Sequence, residues 1–265
     1  MQKNFLNFRE AFAFCVAIFF VAVIFFGIFP ANVSGQTENH DWRDAMDGAL
    51  AWLASNEPSV GSEWAVIALA RANVSADDAW FEKYLSDLKN ETENLTNWTD
   101  FQRVTLALSA LGKNAGDFFE NNFLAQFENF VAPENRPPHS QDVNADIFAL
   151  LALNSRPYAG TQPQFVESIL AAQHQNGAWA WGDWASADIT AMAIQALAPY
   201  YENSAVAAAI DNAFAWIETE NPDSAEDFSQ IIIALTSLDF CAKDFVAQLL
   251  NFYDEKTGGF ISPWT

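Results

Sequence analysis

Apolar positions recur along the chain in two alternating rhythms. Five segments are apolar on nearly every side: Val66–Ala72, Val104–Leu111, Ile147–Leu153, Ala191–Leu197 and Ile231–Leu238. Each carries one short phrase, in turn Ala68-Leu69, Ala107-Leu108, Ala149-Leu150, Ala193-Ile194 and Ala234-Leu235, at steps of 39, 42, 44 and 41 residues. Between them lie segments with charge on one face only: Asp44–Ser55, Asp77–Leu88, Phe118–Phe130, Gln164–Gln173, Asn203–Glu218 and Phe245–Tyr253. A helix that is apolar all round is buried, and an amphipathic one borders water. A period near forty with no strand signal predicts an all-α array of helical hairpins, with buried inner helices wrapped by amphipathic outer ones.

The punctuation fits this frame. Ser62, Thr99-Asp100, Gln141-Asp142, Ser186 and Ser224 open the inner segments, where each side chain can accept a bond from a free N–H of the first turn. Pro137-Pro138, Pro199, Pro222 and Gly112 fall between helices, and no Gly or Pro interrupts an inner repeat. Six outer segments stand against five inner ones. The sequence stops at Gly258–Thr265, where a sixth inner helix is expected to begin, so the expectation is a domain shortened at its C-terminus.

Composition changes the picture mainly at the N-terminus. Lys3 and Arg9 precede Ala11–Phe29, which carries no charge and is long enough to span a bilayer as a helix. Residues 1–35 read as a signal peptide or a retained membrane anchor, 36–43 as a linker and 44–265 as the hairpin domain. Either reading of the leader delivers the domain out of the cytoplasm, to the cell envelope or beyond. A formal net charge of −22 repels nucleic acid and argues against it as a partner. Cys15 lies in the apolar leader and leaves Cys241 alone in the domain, so no disulfide framework is expected. Cys241 itself reads as a helix-end residue packed against the core.

One motif is more specific than the rhythm. Gln173-His174-Gln175-Asn176-Gly177-Ala178-Trp179 fits Q-x-x-x-G-x-W, with a degenerate echo at Asp254-x-x-x-Gly258-x-Phe260. With these residues the chain resembles the α/α-toroid proteins of the prenyltransferase, squalene-cyclase and terpene-cyclase superfamily. Ser186–Tyr200 and Gln230–Leu238 resemble bacterial envelope proteins with prenyltransferase-like repeats. The resemblance covers about Asp44–Phe260 and implies an α/α toroid. It also implies that Gln173, Gly177 and Trp179 are structural, tying an outer helix's end to the turn before the next inner helix.

The enzymatic branches of that superfamily imply catalytic strings that this sequence does not carry. There is no Asp-x-Asp-Asp acid, and Asp77-Asp78 lacks the third aspartate of a magnesium motif. Asp239-Phe240-Cys241 matches part of a zinc set, but no histidine follows His174, and no metal or other cofactor is expected. What remains is a candidate mouth. If the inner helices run parallel, their N-terminal ends gather Asp100, Gln102, Arg103, Asp142, Asn144, Asp146, Trp179, Trp181, Asp183, Trp184, Asp188, Thr190, Asp227 and Gln230. Aromatics beside hydrogen-bonding groups suit a small molecule, a glycan or an envelope protein. Acidic residues at helix N-termini are equally expected from capping and the helix dipole, and the cap-and-core reading is favoured for the group. The leading expectation is an exported, non-catalytic ligand- or partner-binding toroid. Alternatives are a divergent isoprenoid cyclase or carbohydrate-active enzyme using the mouth carboxylates, and a corrinoid-binding carrier.

Overall fold

The computed structural model describes residues 42–72, 78–95, 98–125, 143–155, 162–182 and 184–261. Among them are ten α-helices: α1 (Trp42–Ala54), α2 (Glu63–Arg71), α3 (Asp78–Glu91), α4 (Trp98–Ala110), α5 (Val143–Asn154), α6 (Gln162–Ala171), α7 (Ala187–Leu197), α8 (Ser204–Thr219), α9 (Ala225–Thr236) and α10 (Lys243–Leu250). The five apolar segments fall within, or end just past, α2, α4, α5, α7 and α9. Their Ala-Leu or Ala-Ile phrases are almost wholly inaccessible, with only Leu235 half-buried. Burying each such Leu or Ile stabilises the fold by roughly 1.5–3 kcal/mol.

The helices belong to two compact units, one joining described residues up to Tyr84 with those from Pro222 onward, the other running Leu85–Asn221. In the continuous unit, α4, α5 and α7 lie side by side in the same direction. At their heads, Trp98 Nε1 and Gln102 Nε2 of α4 both donate to the Ala145 carbonyl of α5, at 3.3 and 2.9 Å. At their tails, the Ser155 hydroxyl donates to Ser109 Oγ at 2.9 Å, and Asn154 Nδ2 donates to the Ala196 carbonyl at 2.9 Å. Heads meeting heads and tails meeting tails make the layer parallel. The outer helix α6 runs the other way, because Ser168 near its tail donates to Asp146 at the head of α5.

In the discontinuous unit, the core gathers Ala45 and Ala49 of α1, Phe228 and Ile232 of α9, Leu249 of α10 and Phe260. A second cluster joins Leu50 and Leu53 of α1 to Ala65, Ala68 and Leu69 of α2. Residues far apart in sequence therefore share one core, and α1 packs on both α2 and α10.

Two local expectations need correction, and one feature is added to a mostly helical frame: β1 (Ala180–Trp181) pairs antiparallel with β2 (Trp184–Ala185), and β3 (Tyr253–Asp254) with β4 (Gly259–Phe260). Two-residue strands have no room for a repeating alternation, so no pattern announced them. Residues 118–124 are not helical. Phe118 and Asn121 form a bridge closed through Phe119 and Glu120, at φ +46° and +66°. The face of Phe118 and Phe123 that suggested an amphipathic helix is buried by this turn instead. Ser62 does not cap α2; its hydroxyl accepts from the Ser59 N–H at 3.2 Å, while Ser186 and Ser224 do cap α7 and α9.

Candidate functional site

The Q-x-x-x-G-x-W turn is the best-defined polar construction in the chain. Gln173 Nε2 donates to the Gly177 carbonyl within its own turn and to the Ala209 carbonyl of α8, each at 2.8 Å. Trp179 is wholly buried, and its indole N–H donates to the Ile169 carbonyl near the end of α6 at 2.7 Å. Thr190 of α7 closes the arrangement: its hydroxyl accepts from the Trp179 N–H and faces the Trp179 carbonyl. One turn thus joins α6, α7 and α8. Gly177 has φ +96°, and a Cβ there would lie 2.4 Å from the Asn212 carbonyl oxygen of α8, so only glycine fits without a backbone shift.

The degenerate echo repeats this contact. Gly258 has φ +71°, and its missing Cβ would meet the Gly48 carbonyl of α1 at 2.9 Å. Phe260 takes the buried aromatic place and packs at a tilt against Tyr253, 5.3 Å between centroids. Asp254 stands where Gln173 does, and its carboxylate accepts from Thr257 and from the Lys256 N–H inside the turn.

The carboxylates proposed for the mouth hold local partners. Asp100 pairs with Arg103 on the same helix at 2.6 Å. Asp146 is only 3 % exposed and accepts from Ser168, which turns it toward the outer helix α6. Asp188 accepts from the Ser186 hydroxyl and from the Ile189 N–H. Asp227 and Ser224 cap one another: the Ser224 hydroxyl donates to Asp227 Oδ2 at 2.7 Å, and the Asp227 N–H donates to Ser224 Oγ at 3.1 Å. Burial pushes the Asp227 carboxyl above its ordinary range, against the opposing pull of the Ser224 hydroxyl, and the Asp223 charge adds a smaller upward push.

Asp100, Gln102, Arg103, Asn144, Asp146, Asp188 and Thr190 share the head end of the parallel layer α4–α5–α7. Asp227 and Gln230 belong to α9 in the other unit. There Gln230 Nε2 donates to Glu226 Oε1 at 3.2 Å. Strand β1, which carries Trp181, packs on α5 and α7. Trp184, on β2, is 82 % exposed. Asp142, Asp183, the Trp181 side chain, the leader 1–35, the linker 36–41 and Asp77 lie outside the described residues. Cys241 is exposed rather than packed, because α9 ends in a left-handed turn at Asp239, φ +61°, that carries Phe240 and Cys241 outward. Among the described residues no group of His, Cys, Asp and Glu is placed to hold a metal, and no helix is long and apolar enough to cross a membrane.

Two polar atoms went unforeseen. Gln102 Oε1 and Asn144 Oδ1 are buried without a hydrogen-bond partner. Both residues stand in the sequence as members of the mouth, but only packing reveals that their oxygens are left over. Comparison of the chain with protein-family models and with curated proteins finds no match.

Proposed function

We propose that residues 44–265 form an α/α toroid, exported by the apolar leader, that binds a ligand or partner at the head end of its inner helices and catalyses no reaction itself. The observation that carries the ring is the repeated glycine contact. The Gly177 turn docks on α8, and the Gly258 turn docks in the same way on α1, the first helix described. That correspondence favours a succession of hairpins that returns on itself over an open solenoid. The parallel layer α4–α5–α7 with α6 running against it supports the same reading.

The non-catalytic half rests on the carboxylates. An acid or base for a bound substrate needs a free face toward it. Asp100, Asp188 and Asp227 engage neighbours within three residues of themselves, and Asp146 turns to an outer helix. The test is incubation of the full-length chain, in detergent, with polyprenyl diphosphates, neutral oligosaccharides and corrinoids, reading binding by calorimetry and turnover by mass spectrometry. Binding of one class without product is expected. Turnover of any panel member would overturn the reading.

A further inference from the structure

Gln102 and Asn144 flank the same contact between α4 and α5. Gln102 is fully buried on α4, and its amide nitrogen is fixed on the Ala145 carbonyl, the residue next to Asn144 in the first turn of α5. Its oxygen has no donor, nor has that of Asn144, which is 9 % exposed. A buried polar atom left without a partner loses its hydration and gains nothing in return, so two beside one helix contact are a destabilising pair. Both are acceptors. Whatever satisfies them must bring donors.

Charge narrows the class. Three parallel helix heads each contribute roughly half a positive charge. Asp100, Asp146 and Asp188 stand at those heads with Arg103. The helix dipoles and the arginine nearly cancel the carboxylates, so the head end selects neither a strong anion nor a strong cation. The overall charge of −22 further disfavours anions. A neutral group with both donors and acceptors fits: the hydroxyl. The same end carries an aromatic face, because β1 packs on α5 and α7 and its partner β2 presents Trp184, 82 % exposed. Tryptophan is highly buried on average, so this one is an exception.

We propose that the head of α4, α5 and α7 is a binding site for a neutral sugar, with hydroxyls donating to Gln102 Oε1 and Asn144 Oδ1 and a ring face resting on Trp184. The proposal rests on the ligand-binding reading above and names its ligand class. Both oxygens are closed to solvent, so the heads must open before a hydroxyl reaches them. Association is therefore slow, below about 10⁵ M⁻¹ s⁻¹. Once made, the bonds lie in a dry setting where each is electrostatically stronger than in water.

The experiment titrates the full-length chain with maltotetraose, cellotetraose and chitotetraose, and repeats it with Trp184→Ala, Gln102→Leu and Gln102→Glu. Binding of at least one sugar is expected. Trp184→Ala, a surface change that leaves folding intact, should weaken it at least tenfold, as should each Gln102 variant that keeps the wild-type circular dichroism. Absence of binding by all three sugars overturns the proposal, as does binding that Trp184→Ala leaves unchanged. A Gln102→Leu protein more stable than wild type, without sugar binding, means the amides hold an internal water, and overturns it too. If polyprenyl or corrinoid compounds bind while sugars do not, the binding-module reading stands and this inference fails. Turnover of a bound sugar would do the reverse.

Discussion

Asp227 is the residue whose environment makes the clearest claim about pH. Its carboxyl is raised above the ordinary value of 3.8, chiefly by burial. For an acid raised in the folded state, the native form holds its proton more tightly than the unfolded chain does. Stability is therefore fullest below the unfolded pKa and falls as pH climbs through the folded one. Urea unfolding of wild type and Asp227→Asn across that window should show the wild-type midpoint dropping relative to the variant, which keeps an acceptor for Ser224. A constant gap between the two curves would contradict this. Asp239 offers a second test at the same scale. It occupies the left-handed position after α9, with Phe240 N–H bonded to the Leu235 carbonyl, as Gly112 does after α4 with Lys113 and Leu108. Asp239→Gly should raise stability by up to about 1 kcal/mol, and Gly112→Ala should lower it by about as much. The stop at Gly112 was legible because glycine is the ordinary residue there, whereas an aspartate in that conformation leaves no mark in the sequence. The mouth divides along the same line. Helical spacing places Asp146 at the head of α5, but the side it faces depends on Ser168, which belongs to another helix.

At the scale of elements, the Q-x-x-x-G-x-W turn is a joint between three helices, and its parts should fail by different amounts. Trp179→Phe keeps most of the buried ring but removes the indole donor from the Ile169 carbonyl, which retains the Ala172 N–H at 3.2 Å, for a loss of about 1 kcal/mol. Gly177→Ala adds left-handed strain to a backbone clash with Asn212, and should cost more than Trp179→Phe. Denaturant midpoints rank the two, and the opposite order would mean that the turn gives way more easily than its geometry implies. This joint was legible in advance because its chemistry is compressed into seven consecutive residues. The inner helices were legible for a related reason, since an all-round apolar segment has one place to go. The stretch after Phe118 misled because two positive φ angles, at Phe119 and Glu120, override a helical pattern that Phe118 and Phe123 satisfy equally well in a turn.

At the scale of the molecule, the division into units is what no local pattern conveys. Alternating rhythms are blind to which distant segments share a core, and α1 shares its own with α9, α10 and β4. A chain ending after Ala242 should therefore lose amide protection in α1, at the far end of the sequence, while α5 and α7 keep theirs. Hydrogen exchange read by mass spectrometry separates the outcomes, and unchanged protection in α1 would refute the shared core as a cooperative unit.

That shared core also sets a timetable on the ribosome. The segment Leu85–Asn221 is complete as soon as it emerges, whereas Ala45 and Ala49 must wait for Phe228, Ile232 and Phe260 to be made. At 5–20 residues per second, the face of α1 that carries Ala45 and Ala49 stays uncovered for roughly 10–40 s of synthesis. During that interval its apolar stripe is open to whatever meets a nascent chain. The arrival of Phe260 decides when Ala45 and Ala49 come to rest.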